Sequence, residues 1–269
     1  MKTKKYIVSV VALVAVFALA GVGTVFATHS WNGYHWARTS NPFTLKLGDN
    51  VSGAWDAVLA VASSDWSASD VLNTAIVATQ SNKSCRATSG RVEVCNRTYG
   101  GNGWLGLAQV WVYANGHIAQ GTVKLNDTYF NTSTYNNPQE KLHVMCQEIG
   151  HTLGLDHQSE DGSSQDTCMD YFSNTGVNAS STQSTHPNQH DYDQLGIIYA
   201  HLDTTTTLSS AVDGGGKGKP SIVGQDIDLN DPSAWGQAVR QDARGRNSLY
   251  ERDLRNGQKL FTFVTWAEL

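Results

Sequence analysis

The chain has 269 residues, with 19 basic and 24 acidic side chains and a net charge of −5. That balance excludes nucleic-acid binding through a broad basic face, and the length leaves room for one sizeable domain with an appended segment. Four cysteines form an even set, which in an exported chain suggests two disulfides rather than thiol chemistry.

Lys2, Lys4 and Lys5 precede an uncharged run from Tyr6 to Ala27 that ends in small residues after Val25 and Phe26. This predicts a signal peptide over 1–27. The run is also long enough to serve as an uncleaved membrane anchor, the alternative reading. Both put the remainder outside the cytoplasm. Cleavage would leave 16 basic residues against 24 acidic ones, close to −8, which suits a soluble secreted protein with no further membrane contact. A monomer is expected.

Residues 28–202 read as one α+β domain. Trp55, Val58, Leu59, Ala62 and Trp66 recur at helical spacing, with Gly48-Asp49-Asn50 as a start signal. Short β-like runs follow at Leu72 to Thr79, Arg91 to Cys95, Leu105 to Tyr113 and Ile118 to Asn126, predicting a small twisted sheet. A second helix buries Leu142, Met145, Ile149 and Thr152 and stops at Gly154; a third covers Gln189 to Leu202. Cys85 and Cys95 bracket Gly90, as in a hairpin-like closure. Cys146 on the second helix and Cys168 beyond it would tie that helix to the following turn. Residues 203–220, rich in Thr and then Gly, read as a linker. Residues 221–269 end on the alternating strand Phe261 to Trp266 but are too few to bury a core alone, so they are expected to pack on the main domain. The basic cluster from Arg240 to Arg255 has interleaved acids and reads as a solvated face.

The chemistry is concentrated in Gln147-Glu148-Ile149-Gly150-His151-Thr152-Leu153-Gly154-Leu155-Asp156-His157, followed by Cys168-Met169-Asp170-Tyr171. Positions four apart on a helix share a face, so Gln147 and His151 point the same way. Glu148 stands beside them, and the turn at Gly154 brings His157 back toward the pair. Zinc held by three such ligands keeps one position for water and lowers its pKa to about 7. Glu148, not itself a ligand, would take the proton and return it to the leaving amine.

This stretch resembles the metzincin group of zinc endopeptidases, including matrixin-like, astacin-like and serralysin-like enzymes, with Gln147 where the first zinc-binding His stands in that group. The resemblance implies a protein or peptide substrate, Met169 as the apolar base of the metal site, and Tyr171 as a residue that approaches the metal and steadies the transition state. It also implies an edge strand, read as His117 to Asn126, that pairs with the substrate backbone. The Gln147 amide oxygen reaches as far as an imidazole nitrogen and adds no charge, but it is a weaker donor. Three readings of Gln147 stand: a ligand in an active enzyme, a bystander to another third ligand, or the mark of an inactive exported binding protein. His29, His35, His117, His186, His190 and His201 lack paired ligand spacing and read as ordinary exposed or hydrogen-bonded residues; His190-Asp191 is a candidate to orient a ligand. Glu160, Asp161 and Asp166 are the candidates for structural calcium, although their spacing matches no defined loop.

Overall fold

The computed structural model describes residues 28–79, 82, 84–209, 222–224, 227 and 229–268. The expected signal peptide at 1–27 and residues 210–220 of the expected linker lie outside the described residues. No helix among the described residues is long and apolar enough to cross a membrane.

The strands are β1 (His35–Trp36), β2 (Phe43–Asn50), β3 (Leu72–Ala78), β4 (Val92–Arg97), β5 (Trp104–Val112), β6 (His117–Asn126), β7 (Gln237–Gln241), β8 (Asn247–Asp253) and β9 (Lys259–Trp266). The helices are α1 (Trp55–Trp66), the single turn α2 (Asp127–Phe130), α3 (Pro138–Thr152) and α4 (Gln189–Ile198). The expected α+β class is observed, but the expected small sheet is in fact nine-stranded, in the order β3-β2-β4-β6-β5-β9-β8-β7, with β1 beside β6. Pairing is parallel from β3 to β6 and antiparallel from β6 to β7.

Two sequence readings need correction. Gly48-Asp49-Asn50 does not start a helix; it ends β2, in register with Val77 and Ala78 of β3 and Glu93 to Cys95 of β4. His117 to Asn126 is not an edge either, because β6 lies between β4 and β5. The outer side of β5 is the side next to the helical motif, and β9 occupies it, with Gly106 opposite Thr265, Ala108 opposite Phe263 and Val110 opposite Phe261.

Past a bulge between Trp104 and Gly106, strand alternation sorts β5 and β9 among apolar clusters on the two faces of the sheet. Leu105, Ala108, Val110, Phe261 and Phe263 join the main core with Trp66, Val144, Met145, Ile149 and Met169 from the helical side. Trp104, Leu107 and Val264 point the other way and pack with Trp235. Every residue of β5 is consequently buried, as expected of a strand covered on both faces.

The motif helix α3 is fixed at both ends. Its cap residue Asn137 accepts from the Glu140 N–H, and Pro138 fills the first position, where no amide proton is needed. At the other end Gly154 takes φ 100°, and a Cβ there would stand 2.5 Å from the Tyr34 carbonyl oxygen. Three indole N–H groups donate to α3 carbonyls: Trp66 to Cys146, Trp31 to His151 and Trp36 to Thr152, at 3.1, 3.1 and 2.8 Å. The last two satisfy carbonyls that a helix end leaves without intrahelical donors.

Disulfides join Cys85 to Cys95 and Cys146 to Cys168. The second ties α3 to the turn carrying Met169. Its loop spans 22 residues, so Cys146→Ser with Cys168→Ser should cost about 3 kcal/mol. Urea unfolding at constant slope checks this; an unchanged midpoint would contradict it.

Candidate active site

Helix α3 projects Gln147, Glu148 and His151, the turn after Gly154 brings in His157, and the disulfide-linked turn sets Met169 and Tyr171 nearby. Met169 is fully buried in the main core with Trp66 and Ile149. The rings of His151 and His157 meet edge to face with centroids 4.5 Å apart, and Tyr171 lies 4.5 Å beyond His157.

Each imidazole is oriented through Nδ1. His151 Nδ1 lies 2.9 Å from the Leu155 carbonyl oxygen, which can only accept, so the proton is on Nδ1. His157 Nδ1 faces Glu160 Oε1 at 2.6 Å. Neither Nε2 has a hydrogen-bond partner among the described residues, and both are buried. Burial lowers the pKa of His151 well below its usual value and that of His157 to about 3, which keeps both rings neutral. Two neutral imidazoles, each held by an oxygen behind it with a lone pair free in front, match what a zinc ion requires of its ligands. Glu148 Oε2 is a third buried atom without a hydrogen-bond partner among the described residues. These residues therefore fit a zinc ion.

Gln147 is engaged at both ends. Its Nε2 donates to the Asp170 carbonyl oxygen at 2.6 Å, and that oxygen also lies 3.0 Å from His143 Nε2. The amide oxygen must then face away from the turn, toward Thr265, whose Oγ1 stands 2.6 Å from Gln147 Oε1 and 2.7 Å from Glu148 Oε1. Burial raises the Glu148 pKa to about 8, against its hydrogen bonding with Thr265 and Ala108. A threonine hydroxyl has one proton to give, and the amide oxygen has none. The consistent chain runs from a protonated Glu148 to Thr265 to Gln147.

The C-terminal segment closes the site at further points. Phe263 stacks on His151 with centroids 4.1 Å apart and planes at 11°. Tyr171 donates its hydroxyl to the Val264 carbonyl at 2.8 Å, and burial, reinforced by Glu160 and Glu148, holds its pKa well above the phenol range. Arg240 of β7, read from sequence as part of a solvated face, instead pairs with Asp156 and Glu160 on either side of His157. Gln147, Glu148 and His151 are 0% exposed and His157 8%. Among the described residues, these side chains are closed off from solvent.

The acidic run offers no support for calcium. Glu160 serves His157, Arg240 and Ser248, while Asp161 bonds Ser159 and Ser163. Ligand atoms of Asp156, His157 and Glu160 do lie close enough to share an ion, but the Arg240 guanidinium already pairs with both carboxylates. Asp191 receives His29 Nε2 at 3.0 Å and bonds Thr167, so it braces the turn before Met169 rather than His151 or His157.

Sequence reasoning missed Thr265, Phe263 and Arg240. The alternation from Phe261 to Trp266 marked a strand, but no local signal said which strand it would join.

Several solved structures overlap the chain weakly. High choriolytic enzyme 1, a hatching enzyme zinc-protease from Oryzias latipes (Medaka fish), gives a TM-score of 0.35 at 13% identity over 63% of this chain and 96% of that one. Myroilysin gives 0.34 at 13% over 61% and 96%, and a second myroilysin structure 0.33 at 12% over 67% and 97%. No protein-family model matches, and no curated protein matches. Overlaps of this size transfer no residue roles.

Proposed function

We propose that this chain is a secreted zinc-dependent endopeptidase held closed by its own C-terminal strand. The observation that carries the reading is the pair of buried, pre-oriented imidazoles of His151 and His157, their Nε2 atoms without partners beside a non-ligand Glu148. The third donor is the Gln147 amide oxygen, which keeps one lone pair beyond its bond to Thr265. Zinc bound there supplies a Lewis acid that polarises a scissile carbonyl and acidifies water.

The remaining work falls to the chain. Glu148, freed from Thr265 and rehydrated, accepts a proton from water and passes it to the leaving amine. Tyr171, released from the Val264 carbonyl, donates its hydroxyl toward the oxygen on which charge develops. The outer side of β5 presents main-chain donors and acceptors to an extended peptide once β9 leaves. β9 already makes that ladder, and so shuts the site by filling the place where a substrate strand would lie.

A second reading, an exported binding protein that keeps the scaffold without catalysis, is favoured by one observation: the Gln147 carboxamide has protein partners on both ends. Metal analysis separates the two. The enzyme reading expects His151→Ala to hold one zinc equivalent fewer than wild type, Gln147→His to bind zinc more tightly, and a chelator to stop peptide hydrolysis. Equal zinc in wild type and His151→Ala would refute it.

A further inference from the structure

Three histidines distant in sequence gather around one carboxylate, away from the motif residues. His35 lies in β1, His117 opens β6, and His201 and Asp203 follow α4. His35 and His201 approach Nε2 to Nε2 at 3.2 Å. Asp203 stands 3.6 Å from His35 Nε2, 3.7 Å from His201 Nε2 and 3.2 Å from His117 Nε2. Ligand atoms of His35, His201 and Asp203 all lie within 4.8 Å of one another.

We propose that His35, His201 and Asp203 form a second divalent-metal site, with zinc as its occupant, one coordination position open to solvent, and His117 and Arg38 holding the carboxylate in place. This site does not depend on the function proposed for the first.

The spacing is the principal argument. Donors about 2.0–2.2 Å from a tetrahedral zinc stand roughly 3.3–3.6 Å from one another. The Nε2 atoms of His35 and His201 stand 3.2 Å apart, close to that range; Asp203 approaches the first through Oδ2 at 3.6 Å and the second through Oδ1 at 3.7 Å, and a single ligand atom from each residue lies within 4.8 Å of the other two. A hydrogen-bonded cluster explains them less well, because 3.6 and 3.7 Å are too long for N–H···O bonds. Two imidazoles and one carboxylate are also the donor types that suit zinc.

Tautomers support the assignment. His35 Nδ1 lies 2.9 Å from the Gly33 carbonyl oxygen, which can only accept, so a neutral His35 has its lone pair on Nε2. The Asn115 carbonyl oxygen accepts from the His117 backbone N–H, leaving the Asn115 amide nitrogen to donate to His117 Nδ1 at 3.0 Å. His117 Nε2 then carries the proton and donates to Asp203 Oδ1. Arg38 occupies Oδ2 at 3.0 Å and also bonds the carbonyls of Tyr199 and His201. Asp203 is thus oriented from two sides, with lone-pair capacity left on Oδ1 toward His201. Such hydrogen bonds behind a ligand are what metal sites commonly use to fix it.

Access suits an exchangeable ion. The His201 side chain is 57% exposed, whereas those of His35 and Asp203 are 10% and 9% exposed, so the mouth lies on the His201 side. An ion here would join β1 to the segment past α4, already strapped by Asp203 N–H to Arg38 O and Thr207 N–H to Ala37 O. Trp36, the neighbour of His35, caps the end of α3.

The test is zinc titration of the chelator-stripped full chain carrying His157→Ala, with and without His201→Ala. The first should take up one equivalent and melt at a higher temperature with zinc; the second should lose both responses. Cobalt should give the visible bands of a four-coordinate nitrogen and oxygen site only in the first. His117→Ala should weaken binding roughly 10–100-fold. Equal uptake with and without His201→Ala, or no uptake in either, overturns the proposal. If His157→Ala does not fold, wild type compared with His201→Ala supplies the same one-equivalent difference. Retention of zinc in His157→Ala distinguishes this site from the first, whatever becomes of the endopeptidase reading.

Discussion

Glu148→Gln should lower peptide hydrolysis by roughly 10²–10⁴-fold while leaving the fold and the zinc content as they are. The new amide can still donate to Thr265 Oγ1, which already stands 2.7 Å from Glu148 Oε1, so the chain of hydrogen bonds to Gln147 survives. The amide cannot accept a proton from water and hand it on. Gly106 leaves little freedom for other replacements, since even a Cβ there would come within 2.5 Å of Glu148 Oε1. Steady-state hydrolysis of an unstructured peptide, measured beside zinc content, decides the matter. Hydrolysis that persists in Glu148→Gln would move the proton transfer to another group and remove the central role proposed for this carboxylate.

Phe263→Ala should act in the opposite direction. A buried aromatic truncated to alanine costs about 3–5 kcal/mol, from lost apolar contact and the cavity left behind. Part of that loss falls on the docking of β9, because Phe263 stacks on His151 and also packs in the main core. If roughly 1.4–2.8 kcal/mol of it weighs on the balance between docked and released β9, the open fraction and the hydrolysis rate rise about 10- to 100-fold. The denaturation midpoint should fall at the same time. A less stable protein with no gain in hydrolysis would mean that β9 is a fixed part of the fold, which favours the binding-protein reading.

What the sequence reveals depends on how local the signal is. The motif on α3 is legible because its parts lie within one helix and one turn, where fixed angles convert spacing into a shared face. The end of β2, Gly48-Asp49-Asn50, also looks like the approach to a helix, although Phe43, Leu45 and Leu47 alternate as a strand does. β9 is legible as a strand but not as the partner of β5: alternation sets which face a side chain takes, not which strand lies alongside. β7 gave no periodic signal, since most of its residues are exposed. The cluster of His35, His117 and His201 leaves no mark in the sequence, because spacing rules see pairs one turn apart and only the fold brings these positions together.

The three indole N–H groups bound to α3 carbonyls have an optical consequence. Tryptophan emission depends on hydrogen bonding and on nearby quenchers, and Trp31 also lies 5.0 Å from Phe261 and 5.4 Å from Phe263. Departure of β9 would therefore change the surroundings of Trp31 directly, whereas movement at His35 would reach Trp36, its neighbour in the chain. The chain carries its own fluorophores beside the two proposed metal sites and β9, so release of β9 can be followed by its native fluorescence, without a label and without a substrate.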